Sequence, residues 1–117
     1  MLDNLYKKMQ REDNCHDGIG YVNGFRPFNK ATSNNYSVDF IDIVTIPPNS
    51  TIGNHRHGDN EETYIILKGN GKMRFEDQDI DVKEGDILPN KPFGEHGLVN
   101  NSKEDILLLV FEISKKK

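Results

Sequence analysis

The chain has 117 residues and a formal net charge of −4, enough for one domain with a real core and no room for a second. It carries no basic stripe, which argues against nucleic acid as a partner, and its longest apolar run, Ile106 to Phe111, is too short to span a bilayer. Its single cysteine, Cys15, excludes an internal disulfide, and no basic region followed by an apolar stretch opens the chain, so the expectation is a soluble cytoplasmic protein.

Leu2, Leu5, Tyr6 and Met9 recur at helical spacing, which predicts a short amphipathic N-terminal helix or a loosely held arm. Gly18 to Phe28 is rich in glycine and aromatics and is expected to run extended, with turns at Asn23-Gly24 and Pro27. Residues 29–35 are polar and predict a loop. From Tyr36 to Ile46 the chain becomes a long β-branched run, stopped by Pro47-Pro48. Strands are then expected at Thr51–His57 and Glu62–Lys68, the second closed by Gly69-Asn70-Gly71, a favoured tight-hairpin sequence. Lys72–Glu76 should pair back with Met73 and Phe75 on one face, followed by Asp79–Val82, Asp86–Leu88 and a strand holding His96, Leu98 and Asn100. Asn101 to Asp105 is a polar turn, Ile106–Ile113 the last strand, and Lys115-Lys116-Lys117 a frayed tail. About eight short strands at regular spacing point to a sandwich or small barrel.

The chemistry concentrates in His55-Arg56-His57-Gly58-Asp59-Asn60-Glu61-Glu62. Histidines two apart share a face only on a strand, so this is not the helical arrangement of zinc proteases. Gly58-Asp59-Asn60 is a turn signal that resets the register, so Glu62 can open the next strand facing the same side as His55 and His57. Two imidazoles and a carboxylate make a mixed nitrogen and oxygen site for a divalent transition metal; the competing possibility is a solvated turn with surface acids.

The same residues then read His-x-His, four residues, Glu, six residues, Gly69, followed by Gly85, Pro92-Phe93-Gly94, His96 and Asn100. This resembles the paired motifs of the cupin superfamily between Asn49 and Asn100. It departs from them in having Asn49 where a glycine is usual and one residue fewer between Gly94 and His96. The resemblance implies an all-β jelly-roll β-barrel over residues 36–114, with residues 1–35 as an extended or partly helical arm. It adds His96 as a fourth ligand to His55, His57 and Glu62, around one divalent ion per chain, Fe, Mn, Ni or Zn. It also implies either a metal-dependent enzyme on a small polar organic molecule (a dioxygenase, a decarboxylase of oxalate-like acids, or a sugar or sugar-acid isomerase) or a non-catalytic cupin binding a sugar or carboxylate.

Strand alternation places Tyr64 and Ile66 on the side of Glu62 and makes Met73 and Phe75 the inward pair of the next strand, with Phe93 on the loop before His96. A mostly apolar substrate pocket lined by Tyr64, Ile66, Met73, Phe75 and Phe93 is therefore expected. Beyond the ligands, the acid–base candidates are Tyr64, His16, Glu95 and Glu61, and Arg26 is the cation most suited to a substrate carboxylate. The catalytic residues stay open, with Tyr64 and Arg26 as candidates. Cys15 beside His16 is most simply an ordinary neighbour pair. Both faces of Ile106–Phe111 are apolar, so one must be covered, by the arm or by a second subunit; a homodimer with Leu107, Leu109 and Phe111 outward is favoured.

Overall fold

The computed structural model describes residues 5–32 and 37–114. After a single helical turn, α1 (Leu5–Lys8), the described chain is almost entirely antiparallel strand: β1 (Gln10–Asp13), β2 (Tyr21–Thr32), β3 (Ser37–Ile46), β4 (Thr51–Arg56), β5 (Asn60–Lys68), β6 (Asn70–Phe75), β7 (Gln78–Lys83), β8 (Ile87–Asn90), β9 (Glu95–Val99) and β10 (Ile106–Ser114). A 3-10 turn, Cys15–Asp17, joins β1 to β2. The expected helical contribution of Leu2, the loop over 33–35, the strand start at Tyr36 and the lysine tail lie outside the described residues. No described helix is long and apolar enough to cross a membrane.

The strands form two sheets, one in the order β1-β2-β3-β10-β5-β8 and the other β4-β9-β6-β7. Alternation gives each sheet one apolar inner face. Ile46, Tyr64, Ile66, Ile106, Leu108 and Val110 from the larger sheet meet Ile52, Met73, Val82 and Leu98 from the smaller one in a single core. Truncating a fully buried member such as Leu108 to alanine would cost about 2–5 kcal/mol.

Several sequence expectations are corrected here. Among the described residues no strand of one sheet pairs with a strand of the other, so the expected β-barrel is an open jelly-roll sandwich. The outer strands explain this: β1 is exposed throughout, β7 nearly so, and both are rich in charge, which keeps their free edges in water. Gly69-Asn70-Gly71 is not a hairpin. β5 pairs with β10 and β8, whereas β6 pairs with β7 and β9, so the chain crosses between sheets there. Gly69 takes a positive φ of 91° at the crossing, and a Cβ on it would lie 2.6 Å from the Asp105 carbonyl oxygen. The hairpin falls instead at Glu76-Asp77, both left-handed, between the paired Phe75 and Gln78.

The N-terminal segment is more ordered than its composition suggests. Asn23-Gly24 does not turn; it runs within β2, which pairs with both β1 and β3. The ladder is irregular only between Phe25 and Phe28, where Pro27 has no N–H to donate. Asn29–Thr32, expected as loop, continues the strand, because ladder bonds are made by backbone and a polar stretch pairs readily once its partner is fixed.

Candidate metal centre

His55 and His96 face each other across the β4–β9 pair. The route to that pairing is a bulge. Ile52 pairs with Leu98 and His55 with His96, so β4 spends one more residue than β9 between the two pairs. Without it, the alternation that buries Ile52 would turn His55 outward. The bulge at Gly53-Asn54 packs on Gly97, where a Cβ would stand 2.9 Å from both the nitrogen and the Cα of Asn54. Glu62 arrives from β5 on the opposite sheet, beyond a turn in which the Asn60 N–H donates to the Gly58 carbonyl at 2.9 Å.

The ligand atoms of His55, Glu62 and His96 lie within 4.8 Å of one another. His96 is fully buried, with Nε2 3.0 Å from Glu62 Oε1. His55 donates its Nδ1 hydrogen to the Gly53 carbonyl at 2.8 Å, which leaves Nε2 as the free lone pair. Burial lowers the pKa of His55, against the opposing pull of the Gly53 hydrogen bond, so its neutral form is favoured. Burial works to raise the pKa of Glu62, but the hydrogen bond from His96 and the surrounding imidazoles prevail and hold it below the ordinary value. A carboxylate and two imidazoles converging in a largely buried site fit a first-row divalent ion.

His57 lies just past β4 and is not one of those three. Its ring centroid is 5.1 Å from that of His96. Its Nδ1 donates to Asn60 Oδ1 at 2.7 Å, and its Nε2 is buried with no protein partner.

A cavity of about 530 Å³ adjoins the cluster, reaching it through Glu62 and Tyr64. Its walls differ from the expected set. Tyr64 lines it, but Ile66 and Met73 are core residues, Phe75 packs against that core, and Phe93 is 59% exposed on its loop. The lining is also mixed in polarity, because the N-terminal segment contributes Arg11, Glu12, Cys15, His16 and Arg26. Of these, His16 and Arg26 were candidates from sequence; Arg11, Glu12 and Cys15 were not expected in the lining, because their placement depends on β2 pairing with β3, a partnership no local pattern in Gly18–Phe28 announces.

The acid–base candidates separate by their surroundings. Burial, then the charge of Glu62, raises the Tyr64 pKa well above its usual value, so Tyr64 stays a protonated phenol. Burial, with Glu12 alongside, pushes the Cys15 thiol up to about 12, far from a nucleophilic thiolate. Arg26 is clamped to Asp42 by two bonds, 2.7 and 3.1 Å, and lies over the Phe40 ring at 4.2 Å. Its fork is therefore committed. Glu95 is held by Asn54 and by Arg56 at 2.9 Å on the outer side of β9. Glu61 is half-buried opposite Ile113. Asn49 takes the left-handed turn with φ 63°, its N–H donating to the Asn100 carbonyl.

One group had no signal in the sequence. Glu112 of β10 is directly opposite Glu62 of β5. Burial first, then a hydrogen bond with Asp39 and the charge of Glu62, raises its carboxyl to about 8.

Comparison with known proteins gives concordant results. Residues 42–112 match the family profile described as Cupin domain. An oxalate-binding protein from Thermotoga maritima is 28% identical over 100 residues, spanning 86% of this chain and 82% of its own. A predicted oxalate decarboxylase from Thermotoga maritima superposes with a TM-score of 0.84 at 24% identity, over 97% of this chain and 99% of that one. A Cupin 2 conserved barrel domain protein from Salinispora arenicola superposes with a TM-score of 0.72 at 16% identity, over 96% and 86%. At these identities the superpositions establish the fold.

Proposed function

The chain belongs to the cupin family, and on that premise we propose that it holds one divalent transition-metal ion at His55, His57, Glu62 and His96 and binds a small carboxylate beside it. The observation that carries this is the convergence of half-buried His55 with buried Glu62 and His96 next to a cavity that Glu62 itself lines. His57 joins them because its one unpartnered nitrogen is buried beside His96. When bound, the ion would supply Lewis acidity toward a ligand oxygen. Three neutral imidazoles and one carboxylate leave the site positive around a divalent ion, which favours an anionic ligand. The Thermotoga maritima oxalate-binding protein supports a short dicarboxylate of the oxalate type. The residues of the chain have simpler tasks. Tyr64 lines the cavity beside Glu62 as a neutral phenol. The Arg26–Asp42 clamp fixes the cavity wall.

As an enzyme, the protein would decarboxylate an oxalate-like acid. A second reading, non-catalytic carboxylate binding, is favoured by one observation: Tyr64 and Cys15 both titrate far above neutrality and Arg26 is spent, so three polar side chains of the cavity are unsuited to proton transfer. The proposal extends to assembly as a homodimer through the outer face of the larger sheet.

The test begins with elemental analysis of protein purified without added metal, expected to give near one ion per chain. His57→Ala and Glu62→Ala should each lose that ion while keeping the fold by circular dichroism. Full occupancy in the double variant sinks the metal assignment. Calorimetry with oxalate should show binding only to the loaded protein, and carbon dioxide release distinguishes the enzyme from the binder.

A further inference from the structure

His16 lies in the 3-10 turn of the N-terminal segment, outside the residues that match the family profile. Its ring stacks on that of His55, with centroids 3.8 Å apart and planes 13° from parallel. It also lines the cavity, whereas His55 does not, so the His16 ring stands between the cavity and one face of His55. The turn is costly to build. Asn14, His16 and Asp17 have φ of 51°, 49° and 61°, a left-handed conformation that Asn and Asp tolerate but that His16 adopts at a penalty. Strain of this kind persists where the surroundings over-determine it. Here they do. The Asn14 N–H donates to the Gly20 carbonyl at 2.9 Å, Asn14 Nδ2 donates to the Gly18 carbonyl at 3.1 Å, and the Ile19 N–H donates to Thr51 Oγ1 at 2.8 Å.

The turn is also locked to the β4 bulge. A Cβ on Gly53 would overlap the His16 carbonyl oxygen, so the two backbones are in direct contact. Gly53 is the residue whose carbonyl accepts the His55 Nδ1 hydrogen. The two restraints on the His55 ring, an in-plane hydrogen bond and a stacked face, therefore come from one knot of Gly53 and His16. Hydrogen bonds to ligand histidines fix ring orientation, and their loss typically costs metal affinity about 10–100-fold. A stacked ring acts on the remaining freedom, rotation out of the plane.

We propose that His16 is a positioning residue for the metal centre: its ring face holds the His55 imidazole in the plane from which Nε2 reaches the ion, and its nitrogens are not ligands. The inference rests on the metal assignment above. Two variants separate face from nitrogen. His16→Phe keeps a flat ring and removes both nitrogens. His16→Asn removes the ring and keeps a residue that tolerates the left-handed turn.

Cobalt(II) titration of the full chain, followed by absorbance, should give His16→Phe an affinity within about three-fold of wild type and His16→Asn a loss of about ten-fold or more. Equal affinity for His16→Asn and wild type overturns the proposal. So does a phenylalanine variant as weak as the asparagine one, because a nitrogen would then be required. A second readout needs no metal. In metal-free protein, the carbon-bound ring protons of His55 should be ring-current shifted in wild type and in His16→Phe, and should relax in His16→Asn. Unmoved His55 signals overturn the positioning role even if cobalt binds. Wild type that binds no cobalt overturns the metal assignment and with it this role, while shifted His55 signals would then leave only the stack itself in place.

Discussion

Glu112 and Glu62 are the same residue type on neighbouring strands, and their surroundings drive them apart. Glu62 sits among imidazoles and is held ionised, whereas Glu112, between Asp39 and Glu62, keeps its proton to about 8. A carboxyl raised by folding binds more protons folded than unfolded, so stability is lost as pH rises through the folded pKa. The melting temperature of metal-free protein should therefore carry a component that falls from about pH 5 to about pH 8 and levels off above it, and Glu112→Gln should remove that component. An unchanged slope in the variant removes Glu112 as its cause. His55 acts at the other end of the scale. Its depressed pKa means the unfolded chain takes the proton first, so stability declines as pH drops below about 6.5. Metal affinity should fall over the same range because protons compete for imidazole. A flat cobalt affinity from pH 7 to pH 5 contradicts histidine ligation.

The β4 bulge sets the site at the scale of elements. It lets Ile52 fill the core and His55 face Glu62, and it needs the space above Gly97. Gly97→Ala would push a methyl into the backbone of Gly53 and Asn54. The expected outcome is a destabilisation of about 1–3 kcal/mol in denaturant melts, together with weaker metal binding as His55 moves away from His96. Loss of stability with unchanged affinity would show that the bulge does not tune the site. This level was partly legible in the sequence. Of the cluster, His55 and Glu62 could be read because their residue types and the turn signal between them are local, whereas His96 came only with the resemblance to the paired motifs; the strands after residue 36 could also be read. The bulge could not be read: Gly53 looks like any strand glycine until its partner strand is known. The same limit hid the crossing at Gly69-Asn70-Gly71, whose turn residues specify a bend and not which strand comes next. It also hid β2, which pairs with β3, and β1, which pairs with β2 in turn. The cavity lining was misjudged because alternation tells which side of a strand faces inward, not how much of that side lies in core and how much in cavity.

On the scale of the whole molecule, the outer face of the larger sheet is apolar across five strands. The registers place Phe25, Ile43, Leu109, Ile65 and Ile87 in one row, with Ile87 61% exposed at its end. Ile106, Leu108 and Val110 point into the core, which leaves Leu107, Leu109 and Phe111 on the outer side. The arm reaches one end of this face, where Tyr6 borders a hollow of about 480 Å³ with Thr45 and Leu107. Two copies related by a two-fold axis would cover the row on both at once. Light scattering should give a dimer for wild type and a monomer or aggregate for Leu109→Lys, with metal still near one per chain in the soluble variant. A monomeric wild type rules the dimer out.

The sheet that would carry this contact is a single layer thick. On β3, Ile43 belongs to the row and its neighbours Asp42 and Val44 line the cavity; on β10, Leu109 belongs to the row and Val110 lines the cavity. Whatever presses on one side of that layer bears on the other through adjacent residues of the same strand. If the ligand tightens the layer, it tightens association, and association must then raise ligand affinity by the same factor. Carboxylate affinity measured across a range of protein concentrations that spans the dimer dissociation constant would register this. A constant value throughout would show two sides of one wall that do not communicate.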